Sequence, residues 1–410
     1  MLPVDDALQR IVQSVKVLGP ETIPLLDGLN RILATNVGAS MDLPPFSHST
    51  VDGFAIRHQD VAQTSREKGS LLRVVETIGA GSIAKKTVRP GLAIRVMTGA
   101  PLPTGSDAVV KDEDTAPGEE GTDFIEVKRP VAPMENVASA GENLRSGEIA
   151  LKKGTLLRPG NIGILASLGV REVVVFRQPR LGLLSTGSEL VGLGKSIGPG
   201  KIFASSYYLL LAKLRECGCN PLPLGVVRDE GTDIRNRIRS GLRSDGVITI
   251  GGTRHGDSDW VRDVYRTMDI LTEFDGVAMS PGRSFTFGLL KGKPVFSLPG
   301  SPTACLVAFE ELVKPALMKM KGWGEDHGPW GPTLRINLEG RVSGKKGLRT
   351  YIFARVVLRD GEPVALPIER KNRGSLMPVI DANGIIVLPE GCTELGSGDP
   401  VNVRLVDMIV

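Results

Sequence analysis

The spacing of apolar residues at the amino terminus is that of one face of a helix. Apolar side chains recur every three or four positions, at Val4, Ala7, Leu8, Ile11, Val12 and Val15. Asp5 and Asp6 fall in the first turn, where a negative charge is favourable beside the helix dipole. The spacing predicts an amphipathic helix over Pro3 to Val15.

The pattern changes at Met41, where short apolar runs alternate with glycine- and proline-rich turns. Runs of this kind cover 71–75, 92–96, 108–110 and 124–127. Many short strands separated by turns are typical of a small β domain. Helical spacing returns near Asn136, and Pro159-Gly160 is expected to start a helix over 161–168 that Gly169 ends.

From Pro179 onward, short apolar strands alternate with helical stretches. The predicted strands are Leu181–Leu184, Leu224–Val227, Val247–Ile250 and Val295–Leu298. Helices are predicted at 207–216, at 234–242, near 260–267 and after Thr303. We expect Ser205 or Ser206 to cap the first of these helices, Thr303 to cap the last, and Pro315 to kink or break it. Such alternation predicts a mostly parallel sheet with helices on both faces.

Beyond Gly322 the apolar pattern becomes that of strands alone. The predicted strands are Leu334–Leu338, Thr350–Leu358, Ile385–Leu388 and Val401–Leu405. They indicate a small, barrel-like β domain. The predicted fold is therefore a multidomain α/β plus β protein whose central domain is doubly wound and mostly parallel. The predicted domains are a discontinuous helical-rich N-terminal domain (1–40 and 136–177), an inserted small β domain (41–135), the central α/β domain (178–325) and the C-terminal β domain (326–410).

Composition narrows the classes of partner. The chain has 410 residues, and its 50 basic and 46 acidic residues give a formal net charge of +4 without a polybasic tail. Aromatic residues are 4% of the chain, which argues against a surface that stacks nucleic-acid bases. Four cysteines without zinc spacing indicate reduced thiols. Because no signal peptide or membrane-spanning apolar run is found, we expect a cytoplasmic protein without nucleic-acid or membrane partners.

Polar side chains follow the predicted strands of the central domain. The carboxyl ends of parallel strands meet at one edge of a sheet, where ligands bind. The loops expected there are 186–189, 228–230, 251–259 and 299–302, and their carboxylates are Glu189, Asp229, Asp257 and Asp259. Singly, each carboxylate is explained as well by a turn or a surface ion pair. As a set they favour Mg²⁺, which binds through a few carboxylates and substrate phosphates.

Three familiar phosphate or acyl-transfer motifs do not fit. Gly194-Lys195-Ser196 lacks the glycine that a P-loop requires at position 189, where Glu189 stands. No G-x-G-x-x-G follows a predicted strand to open a helix, which argues against dinucleotide binding. Ser185 and Ser188 lack the G-x-S-x-G frame of a hydrolase elbow.

Several ordered segments carry a resemblance to a known family. They read STVDGFA at 49–55, RVMTGAPLPTGSDAVV at 95–110, PGNIGILASLG at 159–169, PRLGLLSTGSEL at 179–190, GVVRDE at 225–230, DGVITIGG at 245–252 and SLPGSPTACLVAFEELVKPAL at 297–317. In this order the chain resembles the MoeA family, the molybdopterin molybdenumtransferases of molybdenum cofactor biosynthesis, to which the gephyrin E domain is related. The resemblance implies a MogA-like central domain, an elongated homodimer and Mg²⁺-dependent insertion of molybdate into adenylylated molybdopterin with release of AMP. As partners it implies a MogA-like adenylyltransferase and molybdoenzymes that accept the cofactor.

The resemblance also implies site residues. The implied catalytic residues are Asp52, Thr98, Glu189, Asp229 and Asp259. Of these, Glu189, Asp229 and Asp259 would organise the metal, whereas Asp52 and Thr98 would act in the site of the partner subunit. Substrate binding is predicted for Thr186, Gly251, Gly252, Arg254, Arg283, Pro299, Gly300, Ser301 and Pro302.

The chain departs from the family pattern in two anion-binding loops. Thr253-Arg254 replaces a Val-Ser pair, and Ser280 and Arg283 replace two lysines. Arg254 and Arg283 could restore the lost charge, because arginine binds oxyanions through two parallel hydrogen bonds. The departures leave two alternatives to molybdate insertion: a non-catalytic, gephyrin-like scaffold or cofactor carrier, and the insertion of tungstate.

Overall fold

A computed structural model describes residues 1–65, 68–252, 260–324, 333–368 and 376–407, without the side chains of 260–262. The chain divides into two compact units. The larger unit comprises Met1–Ile23, Asn30–Ala34 and Val174–Val410, and the smaller unit comprises Pro24–Leu29 and Thr35–Val173. The boundaries of the four predicted domains stay a prediction.

A six-stranded sheet forms the centre of the larger unit. Its strands, in spatial order, are Asn220–Val227, Arg180–Thr186, Gly246–Ile250, Lys293–Leu298, Thr286–Leu290 and Leu271–Asp275. The first four run parallel and the last two are antiparallel. Every residue of Gly246–Ile250 is buried, as expected for a central strand covered on both faces. The predicted mostly parallel sheet is therefore confirmed, and the antiparallel edge pair is an addition.

Helices of the larger unit pack on this sheet and on the other elements of the unit. They span Val4–Ser14, Ser205–Glu216, Gly231–Gly241, Trp260–Thr267, Pro302–Ala308, Lys314–Met320 and Met377–Asp381. The predicted amino-terminal helix is confirmed, and its apolar stripe, which includes Val4, Ala7 and Ile11, belongs to the main hydrophobic core. The helix thus buries the stripe that predicted it.

Both predicted helix caps are wrong, and the helical backbone runs through Pro315 without the predicted break. Ala204 precedes the helix that Ser205 and Ser206 were expected to cap, and both serines lie inside it. Ser301 occupies the cap position predicted for Thr303, because Pro302 takes the first helical position, where a missing N–H costs nothing. A π-helical turn over Phe309–Val313 ends immediately before Lys314-Pro315.

The carboxyl-terminal strands of the larger unit close into a barrel. Its strands are Thr333–Leu338, Arg349–Arg359, Glu362–Pro367, Gly384–Leu388 and Pro400–Leu405, and their pairings close the ring. The predicted barrel-like domain is confirmed. The strand Glu362–Pro367 was not predicted, since its prolines argue against a strand by sequence alone.

The smaller unit contains a second six-stranded sheet. Its strands, in spatial order, are Ala108–Lys111, Gly53–Ile56, Leu92–Val96, Ser70–Ile78, Phe124–Val127 and Thr115–Pro117. A helix spans Pro159–Ser167, and Gly169 follows it with φ +73°, so the predicted glycine stop is confirmed. The remaining short strands of the chain are Pro20–Pro24, Val37–Gly38, His48–Ser49, Val137–Ala138, Ile149–Leu151, Glu172–Phe176, Leu190–Val191, Ile202–Phe203, Met279–Ser280, Val342–Ser343 and Glu394–Leu395.

Candidate active site

A cavity of about 870 Å³ lies at the carboxyl ends of the four parallel strands of the central sheet. It is lined by Ser185, Thr186, Gly187, Glu189, Leu190, Ile202, Phe203, Ala204, Ser205, Ser206, Asp229, Ile250, Gly251, Gly252, Ser284, Pro299, Gly300, Ser301 and Pro302. Its volume is within the range of sites that bind small molecules. All of these residues belong to the larger unit.

Asp229 is held in place from the neighbouring strand end. The Thr186 hydroxyl donates to Asp229 Oδ1 at 2.5 Å, and the Ser188 amide donates to Oδ2 at 3.1 Å. Each carboxylate oxygen accepts more than one hydrogen bond or ligand. Asp229 is therefore oriented by the protein and keeps lone pairs for a cation or a donor in the cavity.

Glu189 lies in the loop after the strand Arg180–Thr186, which Thr186 ends. A Cβ atom added at Gly187 would lie 2.8 Å from Glu189 Oε2, so glycine leaves room for this carboxylate. The Lys201 ammonium donates to the Ser188 carbonyl at 2.6 Å, and the Ile202 amide donates to the Glu189 carbonyl at 2.9 Å. These contacts fix the backbone on both sides of an exposed acidic side chain.

Two glycines end the central strand under tight steric limits. Gly251 has φ +92° and Gly252 has φ +67°, a region that side chains with a Cβ rarely adopt. A Cβ at Gly251 would fall well inside 3.0 Å of the Thr186 carbonyl oxygen. The Gly251 amide donates to the Leu298 carbonyl at 3.0 Å. Glycine therefore lets three neighbouring strand ends meet at the cavity.

A helix start forms another wall of the cavity. Ala204, Ser205 and Ser206 line it at the beginning of the helix Ser205–Glu216. The Ser206 hydroxyl donates to the Gly300 carbonyl at 2.9 Å, which joins the helix start to the loop Pro299–Pro302. First-turn amides have no partner within their helix and carry partial positive charge, so this wall suits an anion.

The charged lining residues are both acidic. Within the described part of the chain, Glu189 and Asp229 line the cavity and no lysine or arginine does. A polyanion in this cavity would meet two negative charges, which repel it unless a cation lies between them. Two carboxylates plus ligand phosphates are a donor set that fits Mg²⁺. The described residues contain no cluster of three or more metal-ligating side chains.

The predicted substrate and metal residues are only partly brought together. Thr186, Glu189, Asp229, Gly251, Gly252 and the loop Pro299–Pro302 line one cavity. Arg254, Asp257 and Asp259 lie outside the described residues. Arg283 is exposed and is not a lining residue, whereas its neighbour Ser284 is.

Asp52 and Thr98 form a hydrogen-bonded pair in the smaller unit. The Thr98 amide donates to Asp52 Oδ1 at 2.6 Å, and the Thr98 hydroxyl donates to the same oxygen at 2.8 Å. These two bonds, the amide bond first, lower the pKa of Asp52 below its ordinary value. Both side chains are exposed. The pair is therefore an ionised carboxylate with a fixed orientation.

The sequence reasoning missed part of the cavity wall. Ile202 and Phe203 line the cavity, with 56% and 40% of their surfaces exposed. They pair in parallel with Leu190 and Val191, which brings the strand next to Glu189. Ser205 and Ser206 were predicted as possible helix caps and were not among the predicted site residues. Their position at a helix start, where backbone amides can bind an anion, was the available signal.

Family models cover most of the chain. The MoeA N-terminal region, domains I and II, matches residues 2–169. A probable molybdopterin binding domain matches residues 182–319, and the MoeA C-terminal region, domain IV, matches residues 335–406.

Similar proteins match over the whole length. A molybdopterin molybdenumtransferase of Bacillus subtilis (strain 168) is 34% identical over 407 residues, covering 99% of this chain and 94% of the relative. One of Staphylococcus aureus (strain COL) is 33% identical over 410 residues, covering 99% and 96%. Two crystal structures of the molybdopterin biosynthesis MoeA protein of Pyrococcus horikoshii match with TM-scores of 0.83 and 0.85, at 31% and 29% identity. Each match covers 99% of this chain, and the two matches cover 99% and 100% of the Pyrococcus chains.

The family models and the similar proteins agree on one family. Among the described residues, no helix has both the length and the apolar character needed to cross a bilayer. Full-length identity of 33–34% and three successive domain matches confirm the resemblance. The chain therefore belongs to the MoeA family, the molybdopterin molybdenumtransferases, and is an enzyme of the transferase class.

Proposed function

We propose that the protein inserts molybdate into adenylylated molybdopterin in a Mg²⁺-dependent reaction that releases AMP. A water oxygen attacks the phosphoanhydride, the P–O bond to the AMP phosphate breaks, and AMP leaves. The two dithiolene sulfurs bond to molybdenum, and the molybdate oxygens that they replace leave as water after protonation. Molybdenum is neither oxidised nor reduced. Molybdopterin and molybdate enter as substrates.

The acidic lining of the cavity is the observation that carries this proposal. The substrate is a polyanion, yet the charged residues found among the described lining are Glu189 and Asp229. When bound, Mg²⁺ supplies charge neutralisation and Lewis-acid polarisation of the phosphoanhydride. Glu189 and Asp229 would hold it, Thr186 and the Ser188 amide orient Asp229, and the helix start at Ser205 receives phosphate or molybdate oxygens.

The finer assignments from the family resemblance stay part of the proposal. Asp259 is the proposed third metal-organising carboxylate, and Arg254 and Arg283 are proposed anion-binding cations. Asp52 and Thr98 are proposed to act in the site of the second copy in a homodimer. The cytoplasmic location, the adenylyltransferase partner and the molybdoenzyme acceptors are predictions of the same kind.

AMP release from adenylylated molybdopterin tests the proposal. With molybdate and Mg²⁺, we expect Asp229→Asn and Glu189→Gln each to lose about a hundredfold or more in rate, since a metal clamp contributes several kcal/mol. Glu230→Gln is the matched control, because Glu230 follows Asp229, is exposed and does not line the cavity. Equal rates for all three variants and the wild type would contradict the site.

The same assay separates the alternative functions. Replacing molybdate with tungstate tests metal preference, and a faster rate with tungstate would reassign the substrate. A wild-type protein that binds the adenylylated pterin but releases no AMP would favour the scaffold or carrier function. Chelation of Mg²⁺ with EDTA is expected to abolish release, and its restoration by added Mg²⁺ would exclude general damage by the chelator.

A further inference from the structure

A basic groove lies at the end of the central sheet opposite the cavity. It has a volume of about 410 Å³ and is lined by Arg239, Leu242, Arg243, Leu290, Lys291 and Lys293. Leu242 and Arg243 precede the strand Gly246–Ile250, and Lys293 begins the strand Lys293–Leu298. These are the amino ends of parallel strands whose carboxyl ends line the cavity. Four intervening residue steps put the two sites roughly 13 Å or more apart.

Three of the four cations in this groove have no counter-charge in the described structure. The Lys293 ammonium donates to the Leu242 and Ser244 carbonyls at 2.6 and 2.7 Å. It therefore binds carbonyl groups just beyond the carboxyl end of the helix Gly231–Gly241. Among the described residues, no side chain pairs with Arg239, Arg243 or Lys291, and all three are exposed. No carboxylate lines the groove. Like charges gathered in this way repel one another unless an anion joins them.

We infer that this groove binds a small phosphate-bearing anion, of the nucleoside phosphate class. Arginine guanidinium groups bind phosphate oxygens through paired hydrogen bonds, and Lys291 adds a third positive charge. Leu242, which is half-buried, offers apolar surface that a nucleoside could cover. The volume is within the range of small-molecule sites. The three free cations match the charge of a diphosphate.

The groove differs from the cavity in what it requires of a ligand. The cavity is lined by carboxylates and needs a metal ion to hold a polyanion, whereas the groove is lined by cations and needs none. EDTA is therefore expected to prevent polyanion binding in the cavity and to leave anion binding in the groove unchanged. The inference does not rest on the proposed function, and the failure of either can be recognised separately.

Calorimetric titration of the full chain with ADP and with inorganic pyrophosphate, both in EDTA, tests the inference. We expect one metal-independent site that weakens as salt is added. The double variant Arg243→Gln/Lys291→Gln is expected to bind about a hundredfold more weakly, from about tenfold for each charge-assisted contact removed. Arg237→Gln is the matched control, because Arg237 is exposed on the helix Gly231–Gly241, which carries Arg239 of the groove, and does not line the groove itself.

The possible results have distinct meanings. The inference is supported if the wild type and Arg237→Gln both bind tightly and the double variant does not. The double variant should also retain AMP release. No binding by the wild type at millimolar ADP and pyrophosphate, or equal binding by the double variant, would overturn it. A third titration uses a peptide of eight glutamates. Binding of that peptide alone, abolished in the double variant, would replace the small anion with an acidic segment of a protein partner.

Discussion

Replacing Gly251 with alanine perturbs the point where three strand ends meet. Gly251 has φ +92°, and the left-handed region costs an alanine about 1–2 kcal/mol. The added Cβ would also fall well inside 3.0 Å of the Thr186 carbonyl oxygen. The Thr186 carbonyl belongs to the backbone and cannot rotate away as a side chain can, so the loop must shift to remove the clash. Overpacking of this kind costs about 1–3 kcal/mol. We expect Gly251→Ala to lower the free energy of unfolding by about 2–5 kcal/mol.

Gly194→Ala is the matched control for this prediction. Gly194 has φ +81°, and no atom lies within 4 Å of its added Cβ. Its substitution isolates the conformational cost, expected at about 1–2 kcal/mol. The difference between the two variants then measures the contact with Thr186, the residue that orients Asp229.

Urea unfolding followed by tryptophan fluorescence measures both variants. Trp323 belongs to the larger unit, and the other two tryptophans, at 260 and 330, fall within its residue range 174–410, so the signal is expected to report on the unit that contains Gly251. We also expect Gly251→Ala to lose AMP release, because the shifted loop displaces the Leu298 contact at 3.0 Å. A Gly251→Ala protein as stable as Gly194→Ala, with wild-type AMP release, would refute the steric reasoning.

Three further predictions concern substrate contact, a buried ion pair and buried thiols. Phe203→Ala is expected to raise KM about tenfold with little change in kcat, because base stacking on an aromatic ring contributes about 1–3 kcal/mol; Phe203→Tyr should restore KM. Glu311→Ala removes a fully buried carboxylate that pairs with Arg404, and urea unfolding should show a loss of about 3–5 kcal/mol. Burial raises the pKa of Cys217 to about 11 and of Cys219 to about 12, from an ordinary 9.0. The contribution of the two thiols to the free energy of unfolding is therefore constant below pH 9, where both states are protonated, and is lost as pH rises through 11 and 12. In a Cys217→Ala/Cys219→Ala variant, the free energy of unfolding should depend less on pH over this range.

The central sheet could be predicted because its strands are short, apolar and ended by glycine or polar residues. Gly246–Ile250 shows this directly, since burial on both faces favours a nearly continuous apolar run, which Thr249 alone interrupts here. The antiparallel edge strand Leu271–Asp275 was missed because Phe274 is its only buried residue, and its Glu273 and Asp275 interrupt the apolar pattern. Glu362–Pro367 was missed because proline is unfavourable in a paired strand.

The candidate site was predictable in its strand-end loops and less so in its remaining wall. Thr186, Asp229 and Gly251 follow parallel strands, so the topology alone places them at one edge. Ile202 and Phe203 reach the cavity through a short two-stranded pairing with Leu190 and Val191. No hydrophobic periodicity marks a two-residue strand, because a period needs more residues to be recognised. The basic groove was equally hidden, since its cations come from a helix end and a strand turn.

The position of a metal ion tests the central claim most directly. Crystals soaked with Mn²⁺, AMP and molybdate, measured at the manganese absorption edge, would locate the ion without reference to activity. We expect one anomalous peak in the cavity, within about 2.5 Å of oxygens of both Glu189 and Asp229, since hard divalent cations bind carboxylates at such distances. The AMP phosphate should lie beside the ion. AMP and molybdate bound in the cavity with no manganese at either carboxylate would contradict the claim.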